Sequence, residues 1–226
     1  MVEVVRQLDP ESVRANLDEV KREIAEACSR SGRSADDVRI VAAVKYVAAD
    51  QIPVLLEAGV EKAGENRAQD LAVTSDLVPD LTWHFIGHIQ SRKVRDIAPR
   101  AQLIHSVCTD SVLAQLAKHA PGAEILVEVN VAGEEAKSGV LPQELDSFLA
   151  RCADVAGAPV KGLMTMPPLA ASPEGSRRWF AQLAQMASDR GLPELSMGTT
   201  QDFAVAVEEG ATMVRIGSRL FRPLQG

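Results

Sequence analysis

The 226-residue chain is 46% hydrophobic and 24% charged, a composition that excludes a disordered polymer and is sufficient for one large core. Its net charge of −7, the lack of a basic block and only eight aromatic residues (two Trp, one Tyr, five Phe) argue against nucleic acid as the main partner, so an anionic ligand needs a local site. No apolar run approaches the roughly 18 residues of a membrane span, and "MVEVVRQLDPES" has no basic region followed by an apolar core, so no membrane partner and a cytoplasmic location are expected.

The first predicted element is an amphipathic helix over residues 10 to 31. Asp9 and Pro10 form a cap and first-turn pair, Val13, Leu17, Val20, Ile24 and Ala27 recur at helical spacing, and Gly32 closes it. Eight short apolar runs follow, read as strands: Arg39 to Val44, Lys62 to Gly64, Trp83 to Ile86, Leu103 to His105, Ile125 to Val129, Val160 to Met164, Glu194 to Met197 and Met213 to Ile216. Between them lie helical patterns, such as those after Asp110, behind Pro142 and behind Pro173, and one over Gln201 to Glu209. A strand followed by a helix, eight times over, predicts a closed (β/α)₈ TIM barrel with an extra N-terminal helix, forming a single domain over residues 1–226. A flavodoxin-like open sheet would leave about three units beyond its usual five.

Cys28, Cys108 and Cys152 are odd in number, far apart and in no C-x-x-C pair, so they read as small buried hydrophobes rather than disulfides or a zinc site. His84 and His88 are four apart, but the run containing His84 is a strand and Gly87 breaks it, so no metal site is expected and His84 is placed at the barrel mouth.

In such a barrel the reactive groups gather where the strands end. "MGTTQD" after the seventh strand and "IGS" after the eighth offer glycines, hydroxyls and backbone N–H groups where barrels commonly hold phosphate. Each motif alone also reads as an ordinary cap or turn; their pairing in one fold points to a phosphate. Lys45 ends the apolar run "IVAAV", where a charged amine is costly unless it is used, and the strand is expected to desolvate it and favour the neutral nucleophile. Tyr46, its neighbour in sequence, should point away from it on a strand-like stretch. A lysine opposite a phosphate site suggests pyridoxal phosphate, whose aldehyde condenses with an amine. Lys137, in the charged loop with Glu134 and Glu135, is the second amine closest to that face. Met164 and Met166 read as core and lip packing, with contact between Met164 and a bound ring as the alternative.

"AVKY", "GENRAQD", "WHFIGHIQSRK", "IHSV", "VNVAGEEAKSGV", "GLMTM", "LSMGTTQD" and "VRIGSRLF", in this order from about residue 10 to the C-terminus, resemble the YggS/PROSC family of pyridoxal phosphate homeostasis proteins. That family is similar to the barrel of alanine racemase, fold type III among proteins that use this cofactor. The resemblance implies Lys45 as the Schiff-base lysine, Asn66 beside the pyridoxal ring, and Thr200, Gly217 and Ser218 around the phosphate. It also sets Arg215 against the pyridine nitrogen, where a donor-only guanidinium keeps that nitrogen unprotonated and weakens the electron sink. His84 and Met164 complete the set of cofactor-binding residues. The chain departs from the family at Thr199 and Thr200, where Met-Ser is common, at Arg92, where asparagine is usual, and in "LFRPLQG", where a glycine normally follows the phenylalanine.

The function implied is a protein that binds pyridoxal 5′-phosphate (PLP), buffers it and delivers it to client enzymes, maintaining vitamin B6 and amino- and keto-acid balance as a monomer without turnover of its own. The alternative is an amino-acid racemase or related lyase. It needs a proton-transfer group on the second face of the substrate, and this chain is expected to lack one. A further reading gives the barrel and phosphate site to a sugar phosphate or flavin, with Lys45 as an ion-pair residue.

Overall fold

The computed structural model describes residues 4–223. Helix α1 (Pro10–Ser31) has Asp9 as its N-cap, accepting from the Ser12 backbone N–H, and Gly32 at φ 70° as its C-cap, as its spacing predicts. Eight strands follow: β1 (Arg39–Ala43), β2 (Lys62–Glu65), β3 (Thr82–Phe85), β4 (Leu103–Val107), β5 (Ile125–Glu128), β6 (Val160–Met164), β7 (Glu194–Thr199) and β8 (Met213–Ile216). All pair in parallel with their neighbours, and β8 returns to β1, so the sheet closes into a barrel. The intervening α-helices are α2 (Ile52–Glu57), α3 (Ala68–Leu77), α4 (Val94–Ile97), α5 (Asp110–His119), α6 (Leu145–Arg151), α7 (Arg177–Ser188) and α8 (Phe203–Glu208).

Side chains alternate across each strand, and this divides the apolar residues in two. Ile104, Val127, Leu163 and Val214 join the layer between barrel and helices. Their neighbours Leu103, Leu126, Met164 and Met213 form a separate buried cluster. That second cluster fills the barrel interior, as expected for a packed core rather than a pore. Above it the inward positions turn polar.

The eight strands lie within one or two residues of their predicted limits. The last helix differs: α8 begins at Phe203, not Gln201, because Thr200 to Asp202 form a turn and Asp202 takes the N-cap position. Cys28 and Cys152 are buried and Cys108 is half-buried, and all three are free thiols. Among the described residues no helix is long and apolar enough to cross a membrane, and no cluster of metal-ligating side chains occurs. The first three residues of "MVEVVRQLDPES" and the last three of "LFRPLQG" lie outside the described residues.

Helix α1 closes the chain on itself. The amide nitrogen of buried Asn16 donates to the carbonyls of Leu220 (3.2 Å) and Arg222 (2.8 Å), clasping the segment after β8. Asn16→Ala leaves the Leu220 carbonyl buried without a donor, so urea denaturation should show a loss of about 1–3 kcal/mol. A loss under about 0.5 kcal/mol would mean that the clasp contributes nothing.

Candidate functional site

The chain leaves β1 through a tight turn in which the Val47 N–H donates to the Val44 carbonyl at 2.7 Å. Lys45 and Tyr46 are the central residues of that turn, and the N-terminal segment straps it, Val5 donating to the Tyr46 carbonyl at 2.7 Å. Two expectations fail for this reason. Lys45 is exposed, so the apolar strand behind it does not desolvate its amine. Tyr46 does not point away: strand alternation has ended, and the Lys45 ammonium sits 4.7 Å from the centre of its ring.

After β2, Asn66 enters the barrel mouth. Its backbone lies so close to Gly87 that a Cβ there would come within 2.1 Å of the Asn66 carbonyl oxygen, so only glycine permits the approach. The Ser106 hydroxyl donates to the Gly87 carbonyl and fixes this crossing. The Asn66 side-chain oxygen is buried with no partner among the described residues.

Inward from β8 points Arg215, 5% exposed. Its Nη1 donates to the Ser196 carbonyl (2.8 Å) and hydroxyl (2.5 Å), and its Nη2 to the Thr165 carbonyl (2.8 Å) and the Met166 sulfur (3.0 Å). All four partners are neutral. Burial draws the guanidinium down to about 10, and the carboxylates of Asp202 and Glu128 oppose this from beyond hydrogen-bond reach.

The turn after β7 supplies hydroxyls. Gly198, at φ 86°, packs against α8 so closely that a Cβ would meet Ala206 at 2.5 Å. Asp202 accepts from both the backbone N–H and the hydroxyl of Thr199, at 2.8 and 3.1 Å, which turns Thr199 toward the helix. The Thr200 oxygen instead accepts from the Gly217 N–H at 3.1 Å and joins the two expected phosphate loops. Thr200 is therefore not a helix cap, and the anion-binding argument rests on its hydroxyl and the neighbouring amides rather than on α8.

Lys45, Asn66, Met164, Thr200, Arg215, Gly217 and Ser218 all line one cavity of about 940 Å³ at the C-terminal end of the barrel. His84 does not. Its position on β3 faces the interior one layer below the mouth, where its ring is buried and its Nδ1 lies 2.8 Å from His105 Nε2. Burial, reinforced by Lys62 and Arg39, pulls His84 down to about 4, so it stays neutral.

Tyr46, His88, Glu128 and Lys137 also line the cavity. Glu128 was within reach of sequence reasoning, since it is the last residue of β5, on an inward position of an otherwise apolar strand. Burial raises its carboxyl above the ordinary range, opposed by a 2.7 Å hydrogen bond from Ser138 and by His88 and Arg215. The cavity thus combines an accessible amine, a fixed guanidinium and a hydroxyl-and-amide turn. It suits a small anion that also carries a carbonyl group.

Comparison with known proteins agrees. The family model of the alanine racemase N-terminal domain matches residues 11–224. The pyridoxal phosphate homeostasis protein of Aquifex aeolicus is 37% identical over 217 residues, 91% of this chain and 95% of that protein. The chain belongs to the pyridoxal phosphate homeostasis protein family. Another family member, from Pseudomonas aeruginosa, is 34% identical over 218 residues, covering 93% of this chain and 95% of its own. PipY of Synechococcus elongatus, whose structure was solved with PLP bound, superposes with a TM-score of 0.74 at 28% identity, over 88% of this chain and all of PipY.

One buried acid beside the site sets a pH dependence. Burial pushes the Glu65 carboxyl up to about 7 from 4.5, with Asp70 adding to the effect against a hydrogen bond from the Asn66 N–H. The native state then holds a proton that the unfolded chain releases, so stability falls as pH rises from about 4.5 through about 7. The full loss is about 3 kcal/mol. Glu65→Gln should flatten this decline in urea melts between about pH 5 and 8; an unchanged slope would place the titration elsewhere.

Proposed function

We propose that this chain binds pyridoxal 5′-phosphate in the cavity at the barrel mouth, buffers it and hands it to enzymes that use it, thereby maintaining vitamin B6 and amino- and keto-acid balance. When bound, the cofactor supplies an aldehyde that condenses reversibly with an amine, and a pyridine ring. The observation that carries the reading is the meeting of Lys45, Arg215 and the Thr200–Gly217 turn in one cavity.

The residues present fit the group. Arg215 commits its four Nη hydrogens to protein acceptors, which leaves its Nε–H as the donor for a ring nitrogen. A guanidinium donates only, so it holds that nitrogen as a lone pair. Thr200 accepts from Gly217 and keeps its own O–H for a phosphate oxygen, with the Ser218 hydroxyl beside it. Asn66 brings an unpaired polar group to the ring, and Met164 closes the cavity floor from the interior cluster.

Lys45 is exposed, which supports attachment that can be reversed and exchanged with a recipient. Turnover of an amino acid is not part of the reading, because Tyr46 lies against the Lys45 amine itself rather than opposite it. The proposal includes a single domain acting as a monomer in the cytoplasm.

Absorption titrations of the apoprotein test it. PLP should bind at least about tenfold more tightly than pyridoxal, since charge-assisted hydrogen bonds to phosphate contribute about 1.5–3 kcal/mol each. Lys45→Ala should lose the visible band of the attached cofactor while its circular dichroism stays that of the parent. Equal affinity for the two vitamers, or an intact band in Lys45→Ala, would overturn the assignment.

A further inference from the structure

Beneath Arg215 runs a line of buried polar groups that the site itself does not use. The Ser196 hydroxyl, bonded to Arg215, lies 2.9 Å from His105 Nδ1, and His105 Nε2 lies 2.8 Å from His84 Nδ1. Ser196 and His105 are fully buried, and His84 is 2% exposed. Four strands contribute: β3, β4, β7 and β8. Polar groups in a barrel interior are costly unless their hydrogen bonds are arranged consistently.

Proton counting fixes that arrangement. Arg215 can only donate, so the Ser196 oxygen accepts from it. The single Ser196 hydroxyl proton then goes to the partner in place, His105 Nδ1. His105 must carry its own proton on Nε2 and donate it to His84 Nδ1, which leaves His84 protonated on Nε2. The reverse polarity strands the Ser196 proton; the forward one uses every group of the line and leaves the His84 Nε2–H on the side of the Gln102 side chain, which favours the protonated nitrogen.

We propose that His105, acting through Ser196, is a positioning residue that holds the Arg215 guanidinium in register with the pyridine nitrogen of the cofactor. This rests on the reading that Arg215 meets that nitrogen. Without a carboxylate partner, the guanidinium has no ionic anchor, and its orientation depends on neutral acceptors that must themselves be oriented. Ser196 provides two of the four, and His105 takes the proton that would otherwise compete for Arg215's side of the hydroxyl. His105 remains neutral, since burial, His84 and Arg215 all hold it well below its ordinary range. The line is therefore a fixed brace, not a pH switch.

A pair of conservative variants separates positioning from simple stability. Asparagine places an amide near the position of the histidine Nδ1, and glutamine near that of Nε2. His105→Asn keeps the contact to Ser196 and loses that to His84; His105→Gln does the opposite. Both lose one buried hydrogen bond, so both should melt lower by a similar amount.

The absorption of bound PLP should differ between them. His105→Asn should keep the parent band and affinity, whereas His105→Gln and Ser196→Ala should shift the band and weaken binding about tenfold. In the unsubstituted apoprotein, ¹⁵N spectra should show both buried histidines as Nε2–H tautomers, a readout independent of how well any variant folds.

Equal spectra for the asparagine and glutamine variants, or Nδ1–H tautomers, would overturn the brace. Arg215→Gln distinguishes the two levels. If it shifts the band while Ser196→Ala does not, the brace is wrong and the Arg215 reading stands; if it leaves the band unchanged, the Arg215 reading itself falls.

Discussion

A guanidinium buried at the top of a barrel without a carboxylate to pair with is the constraint around which this site is organised. Arg215 would be expelled by its desolvation cost if its hydrogens were not taken up, and four of them go to neutral oxygens and a sulfur supplied by β7 and the segment after β6. Parallel pairing fixes those acceptors. The register of Met164 with Ser196, and of Thr199 with Arg215, brings the Thr165 and Ser196 carbonyls to one guanidinium. A donor that the protein has positioned but not consumed is what a ring nitrogen requires.

The rest of the fold serves this layer from below and above. Below, Leu103, Leu126, Met164 and Met213 pack the barrel interior that holds the polar line beneath Arg215. Above, the bond from Gly217 to Thr200 ties the ends of β7 and β8, and the Val44–Val47 turn sets Lys45 on the cavity wall with its side chain exposed. The result is asymmetric, with one end of the cavity rigid and buried and the amine exposed. Such a division suits retention of a ring and phosphate together with reversible attachment at the aldehyde.

Much of this was legible in the sequence, for physical reasons that differ by element. The strands were visible because a parallel barrel buries both faces, so "IVAAV" and "ILV" are continuous apolar runs. Helix α1 was visible from its cap and period. Lys45, Asn66, Arg215 and the two loops fell into one cavity because strand ends converge at one rim. What failed was local. Tyr46 was assigned by strand alternation that stops at Ala43, and the start of α8 was set by Thr200 although Asp202 holds the position before its first turn and spends its carboxylate on Thr199. His84 was placed at the mouth because depth along a strand is not encoded in its period; only pairing with Leu103 and contact with His105 show that it lies one layer lower.

The central claim is that this cavity attaches pyridoxal phosphate through one particular amine. Reducing the loaded protein with borohydride, digesting it and locating the pyridoxyl group by mass spectrometry tests that most directly. The account predicts the label on the peptide that contains Lys45. Label found mainly on Lys137, which lines the same cavity, or on no lysine at all, would contradict it.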